Sequence, residues 1–261
     1  MILWFLIGLL GCRQPMDPNQ PPPAQDPTQA WGEVLATVVT EDGYVDYDLL
    51  EANRAPLDDY VAWISQNDLF SKDKMTAHRH AFWLNTFNAL TMFQILEREQ
   101  PESIQDVPGL PIAEAAGFFV WTSFDIARNQ TSLAEIRDER IRWREMDFRS
   151  HAAMNFGATS CPPMSAELYT GEQLFSQLRK QLNRWVSDEE RGLRFEGDQL
   201  LVNPLFDVYK RDFDFFSAGL DLCTIAARHA APQKANRLRK HSEIGCPYGT
   251  FDFDWSLNHA Q

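Results

Sequence analysis

Two stretches of the chain concentrate thiol, imidazole and carboxamide groups. "HAAMNFGATSCPP" (151–163) opens on His151, carries Asn155 and reaches Cys161 before two prolines. "AFWLNTFNALT" (81–91) holds Asn85 and Asn88 three residues apart. One chemistry would use them all. Cys161 would be the nucleophile, and His151 the base that draws its pKa down by several units. Asn85 or Asn88 would orient the ring or donate to an oxyanion, and Asn155 would bind substrate. That set describes a cysteine hydrolase or acyltransferase acting on peptide or isopeptide bonds. The chain must fold back after Gly157 for thiol and imidazole to meet. Pro162 and Pro163 place Cys161 on a turn, away from the amide cluster of a helix start. The competing reading is structural: His151 caps a strand edge and Cys161 packs beneath the turn. The structural reading carries more weight.

Asn85 and Asn88 interrupt an otherwise apolar helix and share one face of it. A buried primary amide without partners costs roughly 1–3 kcal/mol, so something must meet them. The candidates are backbone groups of the neighbouring loop, "GATSC" itself included, or a pocket that uses the amides on a substrate. Either way, this helix must lie against the 151–161 corner.

Other chemistry finds little support. His78 and His80 are two apart and leave a helix on different sides, and no Cys-x-x-Cys, His-Glu-x-x-His or Asp-rich loop occurs. No glycine-rich phosphate loop is present, so neither a metal nor a cofactor is expected. Asp252 and Asp254 alternate with Phe251, Phe253 and Trp255 and read as the solvated side of a strand rather than a working pair. The formal net charge of −13 excludes a nucleic-acid partner, which demands a basic face, and simple electrostatic adhesion to anionic lipid. Hydrophobic residues make up 44% of the chain, enough for a globular core.

The first residues, "MILWFLIGLLGC", are too short an apolar run to span a bilayer as a helix but suit a signal peptide. Leu9-Leu10-Gly11-Cys12 resembles the lipobox of bacterial lipoproteins. That resemblance implies cleavage after residue 11, acylation of Cys12, and a bilayer as the first partner. Arg13, rather than Asp, after the cysteine favours the outer membrane of an envelope. "RQPMDPNQPPPAQDPTQA" (13–30) is proline-rich and reads as an extended tether. The organisation is therefore 1–11 signal peptide, 12–30 lipidated Cys and tether, and 31–261 one domain. With Cys12 acylated, Cys161, Cys223 and Cys246 remain, and an odd number leaves at least one unpaired in an oxidising compartment. Cys223 reads as a small buried hydrophobe on a helix face, and Cys246, in "GCPYG", as a turn residue within range of pairing with Cys161.

The elements that must position these groups follow from periodicity. A helix over 74–99 is apolar nearly all round and should be central and buried. Helices are also expected over 51–66, from the Ser132–Glu135 capping box to Arg144, and after Thr170 with Leu174, Leu178, Leu182 and Trp185 as the stripe. Two more fall at 204–216 and 217–231. Strands are expected at 43–50, 117–126, 151–156 and 250–258, with 128–130 a turn and a hairpin over 193–203 turning at Gly197-Asp198. Mixed without strict alternation, these give an α+β fold: helices on a small, mostly antiparallel sheet around one buried central helix.

Six stretches, "VDYDLL", "AFWLNTFNALTMFQIL", "SLAEI", "HAAMNFGATSCPPMSAELYTGEQLFSQL", "LFDVYKRDF" and "DWSLN", occur in this order over 43–258. Together they resemble a bacterial family, domain of unknown function 547. The resemblance implies a shared fold and no settled reaction. The chain departs from the family pattern twice: Asn155-Phe156 stands where members read Asn-Cys, and Arg137-Asp138 where many read Glu-His. An activity resting on that Cys or that His would be lost. The functional expectation is an envelope lipoprotein serving as a binding or scaffolding module, with peptide or envelope-protein partners. The cysteine hydrolase built on Cys161 and His151 is the alternative.

Overall fold

Helix α4 (Thr76–Glu97) is the axis of the molecule, and from His80 to Leu96 every residue but Phe82 is buried. Such a helix survives only when neighbours cover its whole circumference. In this computed structural model, which describes residues 13–66, 76–108 and 115–260, they do. Helix α1 (Thr28–Val38) and α2 (Tyr47–Ala52) lead into α3 (Ala55–Gln66), which packs along α4. On another side lies a helical stretch formed by α5 (Leu133–Glu135), a π-helical run Ile136–Arg142 and α6 (Trp143–Glu145). The expected capping box starts it, with the Ser132 and Glu135 side chains each bonded to the other's backbone N–H. Helix α7 (Leu174–Ser187) buries Leu174, Leu178, Leu182 and Trp185, the stripe read from the sequence.

The sheet content is two small mixed sheets. In the first, β1 (Gln14–Pro15) runs parallel to β2 (Thr122–Ile126), which pairs antiparallel with β3 (Asn129–Thr131). Ala127 and Arg128 make the β2–β3 turn with φ of 50° and 64°, the left-handed pair a tight hairpin requires. The second sheet is the expected hairpin, β4 (Leu193–Glu196) and β5 (Gln199–Val202) turning at Gly197-Asp198, with β6 (Gly249–Thr250) added parallel to β5. Helices α8 (Pro204–Val208), α9 (Lys210–Phe216) and α10 (Leu222–Ala227) follow β5. Helix α11 (Pro232–Glu243) follows them; its polar sequence shows little apolar face, and only Ala235 and Leu238 are buried. The fold is α+β, as expected.

Several local expectations change. Residues 151–156 form no strand: a 3-10 turn over Phe148–Ala152 passes into irregular chain. Residues 117–121 are π-helical, so the strand starts only at Thr122, and 129–131 are strand rather than turn. Residues 47–50 belong to α2. The stretch 251–258 is extended but joins no sheet; it makes single bridges, Ser256 to Ser103 and Leu257 to Ala158. Backbone partners on three separate segments, rather than one neighbouring strand, hold it.

The cysteine pairing also differs. Cys223 bonds Cys246, fastening α10 to the turn after α11, and Cys161 is the free, buried thiol. Helical periodicity identified Cys223 as buried, but not that the α10–α11 bend returns residue 246 to it. The expected signal peptide and Cys12 lie outside the described residues. Residues 13–27 run over the domain surface: Arg13 forms an ion pair with Glu135, Met16 is buried and bonds Ser123 through its N–H, and Pro27 is buried before α1. Among the described residues, no helix is long and apolar enough to cross a membrane.

Candidate functional site

The 3-10 turn that carries His151 starts at Asp147, whose carboxylate accepts from the Arg149 N–H. It directs the imidazole inward, where it is 2% exposed. The ring stacks on Tyr209 at a centroid distance of 4.2 Å, and Nε2 lies 2.9 Å from Asp212 Oδ2. An ionised carboxylate only accepts, so Nε2 carries the proton and Nδ1 is the lone-pair side. Nδ1 is buried and has no partner. Burial pushes the imidazole's pKa down against the pull of Asp212, which keeps the ring neutral.

Asp212, on α9 and 1% exposed, is the centre of this cluster. Besides His151 it accepts from Arg142 Nε at 2.6 Å and Nη2 at 3.1 Å. Burial opposes its charge, but the hydrogen bonds from His151 and Arg142 and the charge of the guanidinium prevail and bring the carboxyl down to about 2. Arg142 also donates to Asp138 at 2.6 Å, and Asp138 accepts two bonds from Arg137. The guanidinium of Arg142 lies 4.6 Å from the Tyr209 ring centre. The histidine is thus one end of a buried ionic chain that ties the 148–152 turn to α9 and to the π-helical run.

Cys161 is elsewhere in hydrogen-bonding terms. Neither ring nitrogen of His151 bonds its sulfur; Nε2 goes to Asp212 and Nδ1 is unpartnered. The thiol is 1% exposed, and Sγ accepts the Phe156 N–H at 3.3 Å. Burial pushes its pKa up to about 12, the opposite of what a thiolate nucleophile needs. The thiol–imidazole hydrogen bond that the alternative reading requires is therefore not formed.

Of the two helix carboxamides, Asn88 meets the 151–161 bend and Asn85 meets residue 169 beyond it, both by clamping backbone. Asn88 Nδ2 donates to Ala153 O at 2.9 Å and Oδ1 accepts from Asn155 N–H at 3.0 Å. Asn85 does the same at one residue, Tyr169, donating at 2.8 Å and accepting at 2.9 Å. Asn155 donates to Pro162 O at 2.9 Å and accepts from the Gly157 N–H at 2.8 Å and from Asn258 Nδ2 at 3.1 Å. Gly157 sits at φ +81°, and a Cβ there would come within 2.7 Å of Ile95 Cδ1, so glycine is needed both for the turn and for the approach to α4. Asn203 reaches Ser160 O, Gln181 reaches Pro163 O, and Gln177 bonds both Leu168 O and Thr170 N–H. Chain without regular structure is buried from 153 to 164 except at Thr159, and side-chain amides do for it what a sheet ladder does elsewhere.

Both departures from the family pattern are absorbed by packing. Phe156 is buried and makes edge-to-face contacts with Phe87 at 5.8 Å and Phe119 at 5.5 Å. Asp138 is engaged by Arg137 and Arg142. His78 and His80 have separate partners: His78 pairs with Glu172 and His80 bonds Ser150. Asp221, Cys223 and Cys246 bring possible ligand atoms within 4.8 Å of one another, but the two sulfurs are bonded together.

One open concavity is lined by none of His151, Cys161, Asn85, Asn88 and Asn155. A cleft of about 740 Å³ is lined by Tyr44, Gln100, Glu102, Thr159, Asp254 and His259, among others. His259 Nδ1 is buried without a partner, and its Nε2 lies 3.8 Å from Asp48. Thr159 and Ser256 share a hydroxyl contact at 3.0 Å, and Ser256 donates to Asp254 at 2.6 Å. Among the described residues, no lysine or arginine lines the cleft. Sequence reasoning missed it because the lining comes from four distant segments, and it missed Asp212 because only the fold brings α9 under His151.

Residues 72–186 match the model of a family described as "Protein of unknown function, DUF547". The match supports that domain family for this stretch, which runs from the start of α4 to the end of α7 and holds Asn85, Asn88, His151, Asn155 and Cys161. It is narrower than the 43–258 over which the motif resemblance extends, and leaves out Asp212 and the C-terminal wall of the cleft. No curated protein and no solved structure matches the chain.

Proposed function

We propose that this chain, which carries a domain match to an uncharacterised family, is a lipid-anchored envelope module that binds rather than cleaves. The observation that carries the reading is the sealed thiol: Cys161 is buried, its sulfur bonds the backbone, and its pKa is pushed up to about 12. A hydrolase or acyltransferase would need that thiol ionised and within reach of a base. The neighbouring amides, which might have held substrate, are committed to backbone groups. Partner or ligand contact is assigned to the cleft lined by Glu102, Asp254 and His259, whose carboxylates and hydroxyls suit cationic or hydroxyl-rich groups on a peptide or envelope component. Support for the anchor is the Leu9-Leu10-Gly11-Cys12 sequence, and with it goes placement on the periplasmic side of an envelope membrane, the outer one being favoured by Arg13.

Alkylation tests the reading. In a Cys12→Ser chain, Cys161 is the free thiol and Cys223–Cys246 is bonded. Iodoacetamide at pH 8 should leave the folded protein unmodified and add one adduct after denaturation without reductant, read by intact mass. Folded-state modification at the rate of a free cysteine would overturn the binding reading and restore the hydrolase.

A further inference from the structure

The segment after the proposed acylation site is not slack. Arg13 donates to both carboxylate oxygens of Glu135, at 2.5 and 3.0 Å. Gln14 and Pro15 then pair in register with Thr122 and Ser123, and the Met16 N–H bonds Ser123 O at 2.8 Å. Asp17 accepts the Asp125 N–H at 2.8 Å, Gln20 donates to Asp59 at 2.9 Å, and α1 begins at Thr28. Proline-rich composition alone suggests a spacer that lifts the domain from the membrane. The contacts make it a strap that is part of the domain. Consecutive Cα atoms are about 3.8 Å apart, so Cys12 has at most one residue's reach from a fixed point.

We infer that the lipid anchor, on the reading of Cys12 proposed above, holds the domain flush against the bilayer by the edge that carries Arg13, Trp121 and Glu135, in one orientation. Trp121 immediately precedes Thr122, the residue that the parallel register sets against Gln14. It is half-buried, and tryptophan is the side chain that settles at a headgroup boundary. Glu135 is neutralised by Arg13. Asp17 and Asp125 sit toward the far end of the β1–β2 ribbon, roughly 13 Å along at about 3.3 Å per residue.

The acylated full-length chain in phosphatidylethanolamine–phosphatidylglycerol vesicles provides the test, with a fluorophore on Glu139→Cys. Glu139 is exposed and lies one helical turn beyond Glu135. Nitroxide at the lipid headgroup should quench this label several-fold more than in a chain with about 20 Gly/Ser residues inserted between Cys12 and Arg13, a linker of roughly 25 Å root-mean-square span. Equal quenching in the two acylated chains would overturn this proposal alone. Absence of acyl label on Cys12 would overturn the anchor and this proposal together.

Discussion

Asp212→Asn is expected to lower the stability of the domain by about 3–5 kcal/mol, the range for removing one partner of a buried ion pair. The carboxylate is 1% exposed and is the acceptor for both His151 and Arg142. An amide of the same shape keeps the volume but removes the charge. It leaves a guanidinium only partly compensated by Asp138, and it sets an NH2 group against donors on one side. In a domain of this size that loss corresponds to a fall in Tm of roughly 6–20 °C. Denaturant unfolding followed by near-ultraviolet circular dichroism reads it directly, and an unchanged midpoint would show that the cluster contributes nothing. The pH dependence gives a second signature. Asp212 titrates near 2 in the fold, below an ordinary aspartate at 3.8, so its contribution is complete above about pH 4 and lost as the pH falls toward 2. The Asn variant should lack that part of the acid limb.

Asn88→Ala is expected to be nearly as damaging, at about 2–6 kcal/mol, because one buried backbone group loses its partner and another keeps only a long contact to the Tyr169 hydroxyl at 3.5 Å, and each costs roughly 1–3 kcal/mol. The groups are Ala153 O and the Asn155 N–H. Asn88→Asp should fall between Ala and wild type, since it keeps the acceptor and loses the donor. Asn129→Ala, at an exposed position of β3, serves as reference and should stay within about 0.5 kcal/mol. If Asn88→Ala matched that reference, the amides would not be what holds the bend.

The pattern of what the sequence discloses has a physical basis. Helix α4, the α7 stripe, the Ser132–Glu135 box and the Gly197-Asp198 hairpin are local: each is written in residues within a few positions of one another. That Asn85 and Asn88 had to meet the next loop also followed, because burying an amide in an apolar helix demands a partner. The identity of those partners did not follow. "HAAMNF" has the alternation of a strand, yet its hydrogen bonds go to Asn88, Asn258 and Cys161 rather than to a neighbouring strand. Periodicity is blind to bonds made by side chains far along the chain. The same blindness hid the Cys223–Cys246 bond, the approach of Asp212 to His151 and the four-segment cleft. The strap over 13–27 was misread for a different reason: composition reports what a segment prefers alone, and here one salt bridge and a short parallel pairing outweigh it.

The extended stretch near residue 258 bears on when the molecule can be finished. Its backbone bonds Ile104 and Glu102 on one side, Gly157 and Thr159 on another, and Val45 on a third, while Asn258 accepts from Tyr47 and donates to Asn155. It acts as the keystone of three arches raised earlier in synthesis. Until it arrives, the bend at 153–160, the loop after α4 and the entry to α2 each have open valences. A nascent chain stalled before residue 254 would lack this closure, and would remain a substrate for proteases until residues 254–260 were delivered.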